Sequence, residues 1–139
     1  EDIYAVRKAL EIMAVEWAVN RISDAQIKAL QEQSELMEFC TTKKDSDKVL
    51  ELNSAYHDII YDAAGSRFMA QILRSYKEYI EQTRKVILYE QAYLEEILKE
   101  HKKILEAIMA RDVEGAKAAM GAHLEMSQRR AKLQYNMEE

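Results

Sequence analysis

The sequence predicts an all-α fold, and three observations support this prediction. The 139 residues include no proline and only three glycines. They are rich in alanine, leucine, methionine, glutamate and lysine, the residues that lose least on entering a helix. Apolar residues recur at intervals of three and four, the period of a helix with one buried face. We therefore expect a single domain, an antiparallel bundle of about six helices, over the whole chain.

The first two helices are delimited by polar residues. Helix one is predicted over residues 2–20, where apolar side chains form a single face. Ser23 begins helix two with a capping box. In this motif the Ser23 side chain accepts a hydrogen bond from the backbone N–H three residues on, and the Gln26 side chain accepts one from the backbone N–H of Ser23. Helix two is predicted to end near Phe39.

The third helix follows a predicted loop. Residues 41–46 are polar and contain two lysines, so we expect them to connect the helices. Asp45 or Ser46 can then cap helix three at its N-terminus. Gly65 is expected to end this helix in the left-handed conformation that glycine adopts without strain.

The second half of the chain has a long periodic stretch. Apolar spacing runs from residue 66 to residue 108 without proline or glycine. As one helix this stretch would span about 65 Å at about 1.5 Å per residue, too long for a compact domain of this size. We therefore predict a break near residues 89–92. Asp112 is expected to cap the last helix, with Glu114 in its first turn.

The composition excludes several functional classes. The formal net charge is −5 and acidic and basic residues are interspersed, so this chain is not expected to bind nucleic acid by itself. The single cysteine, Cys40, excludes an intrachain disulfide and a thiolate-rich zinc site, which fits a reducing compartment such as the cytoplasm. No apolar run reaches the roughly 18 residues of a membrane-spanning helix.

The three histidines of the chain predict a metal site. His57, His101 and His123 each lie on the apolar stripe of a different predicted helix. A buried imidazole must find hydrogen-bond partners or bind something, because an unsatisfied buried polar group costs about 1–3 kcal/mol. Asn53 lies one turn before His57 on the same helix face. Three imidazoles and one oxygen suit a divalent transition metal, with zinc or nickel as the first candidates. The alternative is that each histidine is a hydrogen-bonded core residue.

Two arginines are candidates for binding a carboxylate. Arg7 and Arg84 each lie one turn from apolar residues on their predicted helices. A guanidinium can clamp a carboxylate with two parallel hydrogen bonds, although the long stem can also carry the charge to the surface. By contrast, Arg129 and Arg130 with Lys132 are interpreted as a solvated helix end.

Several segments in order resemble one known family. They are residues 3–11 (IYAVRKALE), residues 52–57 (LNSAYH), the turn at 63–66 (AAGS) and residues 100–108 (EHKKILEAI), followed by Arg111-Asp112, Ala116, Ala119-Met120 and His123-Leu124. Together they resemble the FCD family, the C-terminal sensing domains of GntR-type transcription regulators in the FadR subfamily. The resemblance covers nearly the whole chain.

The resemblance implies a helical bundle that binds a small effector, commonly an organic acid or sugar acid, and often a divalent metal in the same cavity. It also implies a homodimer. Carried over to this sequence, the metal ligands are Asn53, His57, His101 and His123. Many metal-binding members have aspartate where this chain has Asn53, and asparagine is common where it has Ser66. A neutral ligand leaves the site one unit more positive, which favours an anionic effector that completes the coordination.

Three functions are compatible with these features. The first is a sensing and dimerising module, with operator recognition expected in a winged-helix part N-terminal to this chain. The second is a metal-dependent hydrolase, because three histidines with an open position also describe catalytic zinc. However, the sequence has no His-Glu-x-x-His motif, and no glutamate lies three residues before any histidine. The third is a helical interaction domain without a ligand.

Overall fold

The fold is an all-α bundle, as the sequence predicts. The computed structural model describes residues 2–83 and 91–137, excepting the side chains of residues 81–83 and 134–137. Within these ranges it contains six helices and no strand. The helices are α1 (Asp2–Arg21), α2 (Asp24–Thr42), α3 (Ser46–Ala63), α4 (Arg67–Thr83), α5 (Gln91–Met109) and α6 (Val113–Met137). None of them is long and apolar enough to cross a membrane.

The predicted capping residues are found where the helices begin and end. The Ser23 Oγ accepts from the Gln26 backbone N–H at 3.1 Å, and the Gln26 side chain accepts from the Ser23 backbone N–H at 3.0 Å. Asp45 caps α3 and Asp112 caps α6 in the same manner, each accepting from a backbone N–H three residues on. Gly65, with φ of 76°, follows the end of α3. These local signals were sufficient to predict the termini that they control.

The predicted end of α2 at Phe39 is wrong by three residues. The hydroxyls of Thr41 and Thr42 donate to the carbonyl oxygens of Met37 and Glu38, four residues back, at 2.7 and 3.0 Å. Threonine can satisfy its hydroxyl within a helix in this way, so the two polar residues extend α2 instead of ending it. The loop is therefore shorter than predicted and lies between Thr42 and Ser46.

The long periodic stretch contains two described helices. α4 is described as far as Thr83 and α5 from Gln91 onwards. Of the predicted break at residues 89–92, residues 89 and 90 lie outside the described part of the chain, whereas Gln91 and Ala92 already belong to α5.

The core lies where five helices meet. Its fully buried members include Val19 of α1, Leu30 of α2, Ile60 of α3, Ile104 of α5 and Met120 of α6. Burying one such side chain contributes about 1.5–3 kcal/mol. Because α3, α5 and α6 all turn an apolar face to this cluster, a polar side chain on the same faces is carried into the centre of the bundle.

Candidate metal centre

The structure brings the three predicted histidines together at the centre of the bundle. His57 extends from α3, His101 from α5 and His123 from α6. One ring nitrogen of each lies within 4.8 Å of those of the other two, and the Nε2 atoms of His57 and His123 are 3.3 Å apart. None of the three residues is more than 4% exposed. A cation at this point would reach three imidazoles from three different helices.

His101 is the least satisfied of the three. Among the described residues, neither of its ring nitrogens has a hydrogen-bond partner. Its ring stacks on Tyr56 with the centroids 4.4 Å apart, and the Tyr56 hydroxyl donates to the His101 backbone carbonyl at 3.0 Å. Burial lowers the pKa of His101 well below its usual range, and the positive charge of His123 or His57 would lower it further. The neutral ring retains a lone pair that a metal can accept.

His123 is oriented by a glutamate and an arginine. Its Nδ1 lies 2.7 Å from the Glu100 Oε1, and the Arg130 guanidinium donates to both oxygens of Glu100 at 2.7 and 2.8 Å. Burial raises the pKa of Glu100, but the hydrogen bonds from Arg130 and His123 outweigh burial and lower it overall. Burial also lowers the pKa of His123, although Glu100 opposes this effect. We assign the ring proton to Nδ1, which leaves the Nε2 lone pair facing His57.

His57 faces a second carboxylate, which is fully buried. The Glu11 Oε2 lies 3.5 Å from the His57 Nδ1, and the Arg7 Nε lies 3.5 Å from the Glu11 Oε1. The Tyr61 hydroxyl donates to the same carboxylate. Burial raises the pKa of Glu11, but the nearby His57, together with Arg7 and Tyr61, outweighs burial and lowers this pKa to about 2.

A small polar cavity adjoins the imidazoles. Its volume of about 40 Å³ is enough for a few water molecules or a small ligand, since one water needs about 10–15 Å³ on this measure. The polar side chains that line it are those of Arg7, Asn53, Ser54, His57, Lys77, His123, Ser127 and Arg130. The Asn53 Oδ1 is buried here without a hydrogen-bond partner. The cavity therefore combines three cationic side chains with an acceptor that lacks a donor.

The sequence of the chain matches one family model. That model, described as the FCD domain, covers residues 2–126. The chain belongs to the FCD family. Among curated proteins, this FCD domain is similar to the uncharacterized HTH-type transcriptional regulator YdhC of Bacillus subtilis (strain 168), with 27% identity over 124 residues. The alignment covers 88% of this chain and 55% of YdhC, so the chain spans about half the length of that relative.

Two solved structures have the same fold as this FCD domain. E. coli McbR/YncC superposes with a TM-score of 0.83 at 21% identity, over 96% of this chain and 64% of that protein. Streptococcus agalactiae GntR superposes with a TM-score of 0.81 at 23% identity, over 94% of this chain and 58% of that protein. At these identities the likeness establishes the fold alone.

The ligand set implied by the family resemblance fits the geometry of this FCD domain. Asn53 lines the cavity with His57 and His123, and His101 contacts both of these rings, with centroids 5.5 and 4.8 Å away. The buried Asn53 Oδ1 and the ring nitrogens of His101 are polar atoms that lack a partner among the described residues. A metal ion would satisfy such atoms, so the donor set suits a divalent transition metal.

The two predicted arginines have different outcomes. Arg7 is 7% exposed and lines the cavity, so its stem does not carry the charge to the surface. Arg84 lies outside the described residues, and its contact with an effector stays a prediction.

The interpretation of Arg130 as part of a solvated helix end is wrong. Arg130 is 3% exposed, lines the cavity and binds Glu100. The Arg129-Arg130 pair resembled a helix terminus, but α6 continues to Met137. A signal was present in the spacing, because Arg130 lies seven residues, or two turns, after His123 and therefore on the same face.

The two glutamates were not predicted as site residues. Glu100 is next to His101 in the sequence, and its side chain reaches His123 on the adjacent helix. Glu11 lies on the buried face of α1, four residues after Arg7, and this spacing was the available signal for a buried pair.

Proposed function

We propose that this FCD domain is the ligand-sensing part of a GntR-type transcription regulator. It binds a divalent metal, zinc or nickel, through Asn53, His57, His101 and His123, and a small organic acid in the adjoining cavity. The observation that carries the proposal is the convergence of three buried imidazoles, with nitrogens within 4.8 Å, beside a cavity lined by cations. When bound, the metal would supply a Lewis-acidic position that accepts a carboxylate oxygen.

The charges around the cavity favour a dianion. The three cations that line the cavity are each paired with a carboxylate: Arg7 with Glu11, Arg130 with Glu100, and Lys77 with Asp58 at 3.4 Å. The opposite charges within each pair cancel. Three neutral imidazoles and Asn53 contribute no charge. A divalent cation would therefore leave about two positive charges uncompensated, which a small dicarboxylate would neutralise.

The wider context supports regulation through a separate DNA-binding part. YdhC is described as a transcriptional regulator, and it is nearly twice as long as the segment matched here. The negative charge of this chain disfavours direct contact with DNA. We propose that the domain acts in the cytoplasm as a homodimer. Its effector would change DNA binding only by preferring one of two states of the whole regulator.

The alternatives receive less support from the site. For a hydrolase, the two carboxylates beside the histidines would be the candidate bases, but both are engaged with arginines. For an interaction domain without a ligand, both nitrogens of His101 would stay buried and unsatisfied, at about 1–3 kcal/mol each.

Elemental analysis tests the metal part of the proposal. Tag-free protein and a His57→Ala/His101→Ala double variant are dialysed against metal-free buffer after loading with zinc or nickel. We expect about one metal ion per chain in the wild type and none in the variant. Wild-type protein that retains no metal after loading would refute this part.

Thermal shift with metal-loaded protein tests the effector part. A panel of small mono- and dicarboxylates and sugar acids should raise the melting temperature, most for a dicarboxylate. Arg7→Ala should weaken the response, because it removes a cation that lines the cavity. A panel without any shift would refute an organic-acid effector.

A further inference from the structure

We propose that Glu11 and Glu100 are positioning residues of the metal centre. They hold His57 and His123 with Nε2 turned towards the cation, and they place a carboxylate behind each of these two ligand rings. This inference depends on the metal site proposed above. It assigns a role in that site to α1, a helix that contributes none of the four ligands.

Both imidazole rings have the same orientation. The Nδ1 of His123 is hydrogen-bonded to Glu100 at 2.7 Å. The Nδ1 of His57 faces Glu11 at 3.5 Å, which is within ion-pair distance but is not a hydrogen bond, and the two Nε2 atoms are 3.3 Å apart. A ring that donates its Nδ1–H to a carboxylate must carry its lone pair on Nε2. Glu100 therefore selects the tautomer of His123, and the charge of Glu11 favours a proton on the His57 Nδ1 that faces it, so that both Nε2 lone pairs would point to the same place.

The glutamates are themselves held in place. Glu100 accepts two hydrogen bonds from the Arg130 guanidinium, which restricts both of its oxygens. Glu11 accepts from the Tyr61 hydroxyl and lies beside Arg7. A carboxylate fixed in this way cannot rotate away from its imidazole, so it orients the ring before any metal binds.

The negative charge is placed where it acts on the ligands. A carboxylate hydrogen-bonded to an imidazole raises the basicity of the nitrogen that binds the metal. The side chain of Glu11 is fully buried and that of Glu100 is 16% exposed, so solvent screens them weakly. Within the described residues His101 has no such partner. The two glutamates thus act on two of the four ligands by raising the basicity of their rings, while their own charges stay paired with Arg7 and Arg130.

Metal affinity of Glu11→Gln and Glu100→Gln tests the proposal in the full chain. Glutamine keeps the shape and an acceptor oxygen but removes the charge. We expect each variant to bind Co²⁺ or Zn²⁺ about tenfold to a hundredfold more weakly, in competition with a chelator. Glu96→Gln is the matched control, because Glu96 contacts Arg130 at 3.4 Å and no histidine, and its affinity should be that of the wild type. Glu100→Asp, which retains the charge, should bind more tightly than Glu100→Gln.

Proton NMR of the Co²⁺-loaded protein separates positioning from general stability. The exchangeable ring N–H signal of His57 should move in Glu11→Gln, and that of His123 in Glu100→Gln, while the other ligand signals stay in place. Wild-type affinity and unchanged ring N–H signals in either folded variant would overturn the role of that glutamate. If Glu11→Gln does not fold, Glu100→Gln decides the outcome. A wild-type protein that binds no metal would instead refute the proposed function.

Discussion

Asn53 is the proposed ligand whose replacement by a carboxylate of the same shape would change the charge of the centre. Its Oδ1 is buried without a hydrogen-bond partner and lines the cavity beside His57 and His123. An aspartate at this position would have the same shape but one full negative charge. The residue therefore controls how strongly the imidazoles can hold a cation and how much positive charge is left for an anionic effector.

We expect Asn53→Asp to bind metal about tenfold or more tightly. Unit charges about 4 Å apart attract by about 4 kcal/mol at an effective dielectric constant of about 20, and burial of the new carboxylate cancels part of this gain. Chelator competition measures the affinity. Because one positive charge then remains, the thermal response should shift from a four-carbon dicarboxylate towards the four-carbon monocarboxylate. Weaker metal binding in the variant would show that Asn53 is not a ligand.

Site residues could be predicted where their position on the apolar face of a helix indicated burial. Site residues could not be predicted where their role depends on a partner that is distant in the sequence. The three histidines lie on apolar stripes, so their convergence follows from the helical period and the bundle. Glu11 is different, because it meets Tyr61 fifty residues further on. Nothing in the local pattern around Glu11 specifies that contact, which arises only when α1 packs on α3.

At the scale of helices, α2 stabilises the site without contributing a residue to it. It packs against α3 and α5, which carry His57 and His101. Ser23 and Gln26 satisfy backbone and side-chain groups at its N-terminus. Because the cap is remote from the imidazoles, the stability of α2 and the binding of metal can be varied separately.

We expect Ser23→Ala to lower the free energy of unfolding by about 1 kcal/mol, because the N–H group of Gln26 loses its acceptor. Urea denaturation of the chelated protein measures this loss as a lower midpoint at unchanged slope. Ser23→Thr, which keeps a capping hydroxyl, is the control and should lose less. The metal content per chain should not change in either variant. An unchanged midpoint in Ser23→Ala would mean that the cap does not stabilise α2 in solution.

The helix boundaries show which physical signals a sequence carries. Ser23, Asp45 and Asp112 form caps with nearby backbone groups, so their positions could be predicted. The end of α2 could not be predicted, because the hydroxyls of Thr41 and Thr42 donate to carbonyl oxygens inside the helix. The local sequence does not distinguish such threonines from those of a loop. The prediction of a break near residues 89–92 depended only on the size of a compact domain, and Gln91 and Ala92 already belong to α5.

For the whole molecule, the proposed metal would connect helices that otherwise meet through apolar packing. Its ligands come from α3, α5 and α6, and Glu11 adds α1 through His57. The contact between α3 and α5 is much less extensive than the contact between α5 and α6. A cation shared by His57 and His101 would therefore add a direct link where the helices pack lightly, and its removal should affect the stability of the entire bundle.

We expect chelation to lower the melting temperature of the metal-loaded protein. A ligand present at about 100 times its dissociation constant stabilises the folded state by about 2.7 kcal/mol, which corresponds to several degrees for a domain of this size. Calorimetry with and without EDTA measures the difference. His101→Ala is the decisive variant, since it removes a ligand together with two ring nitrogens that lack partners among the described residues. It should melt at the same temperature with and without EDTA. A wild-type melt that EDTA does not change would mean that no metal links the three helices.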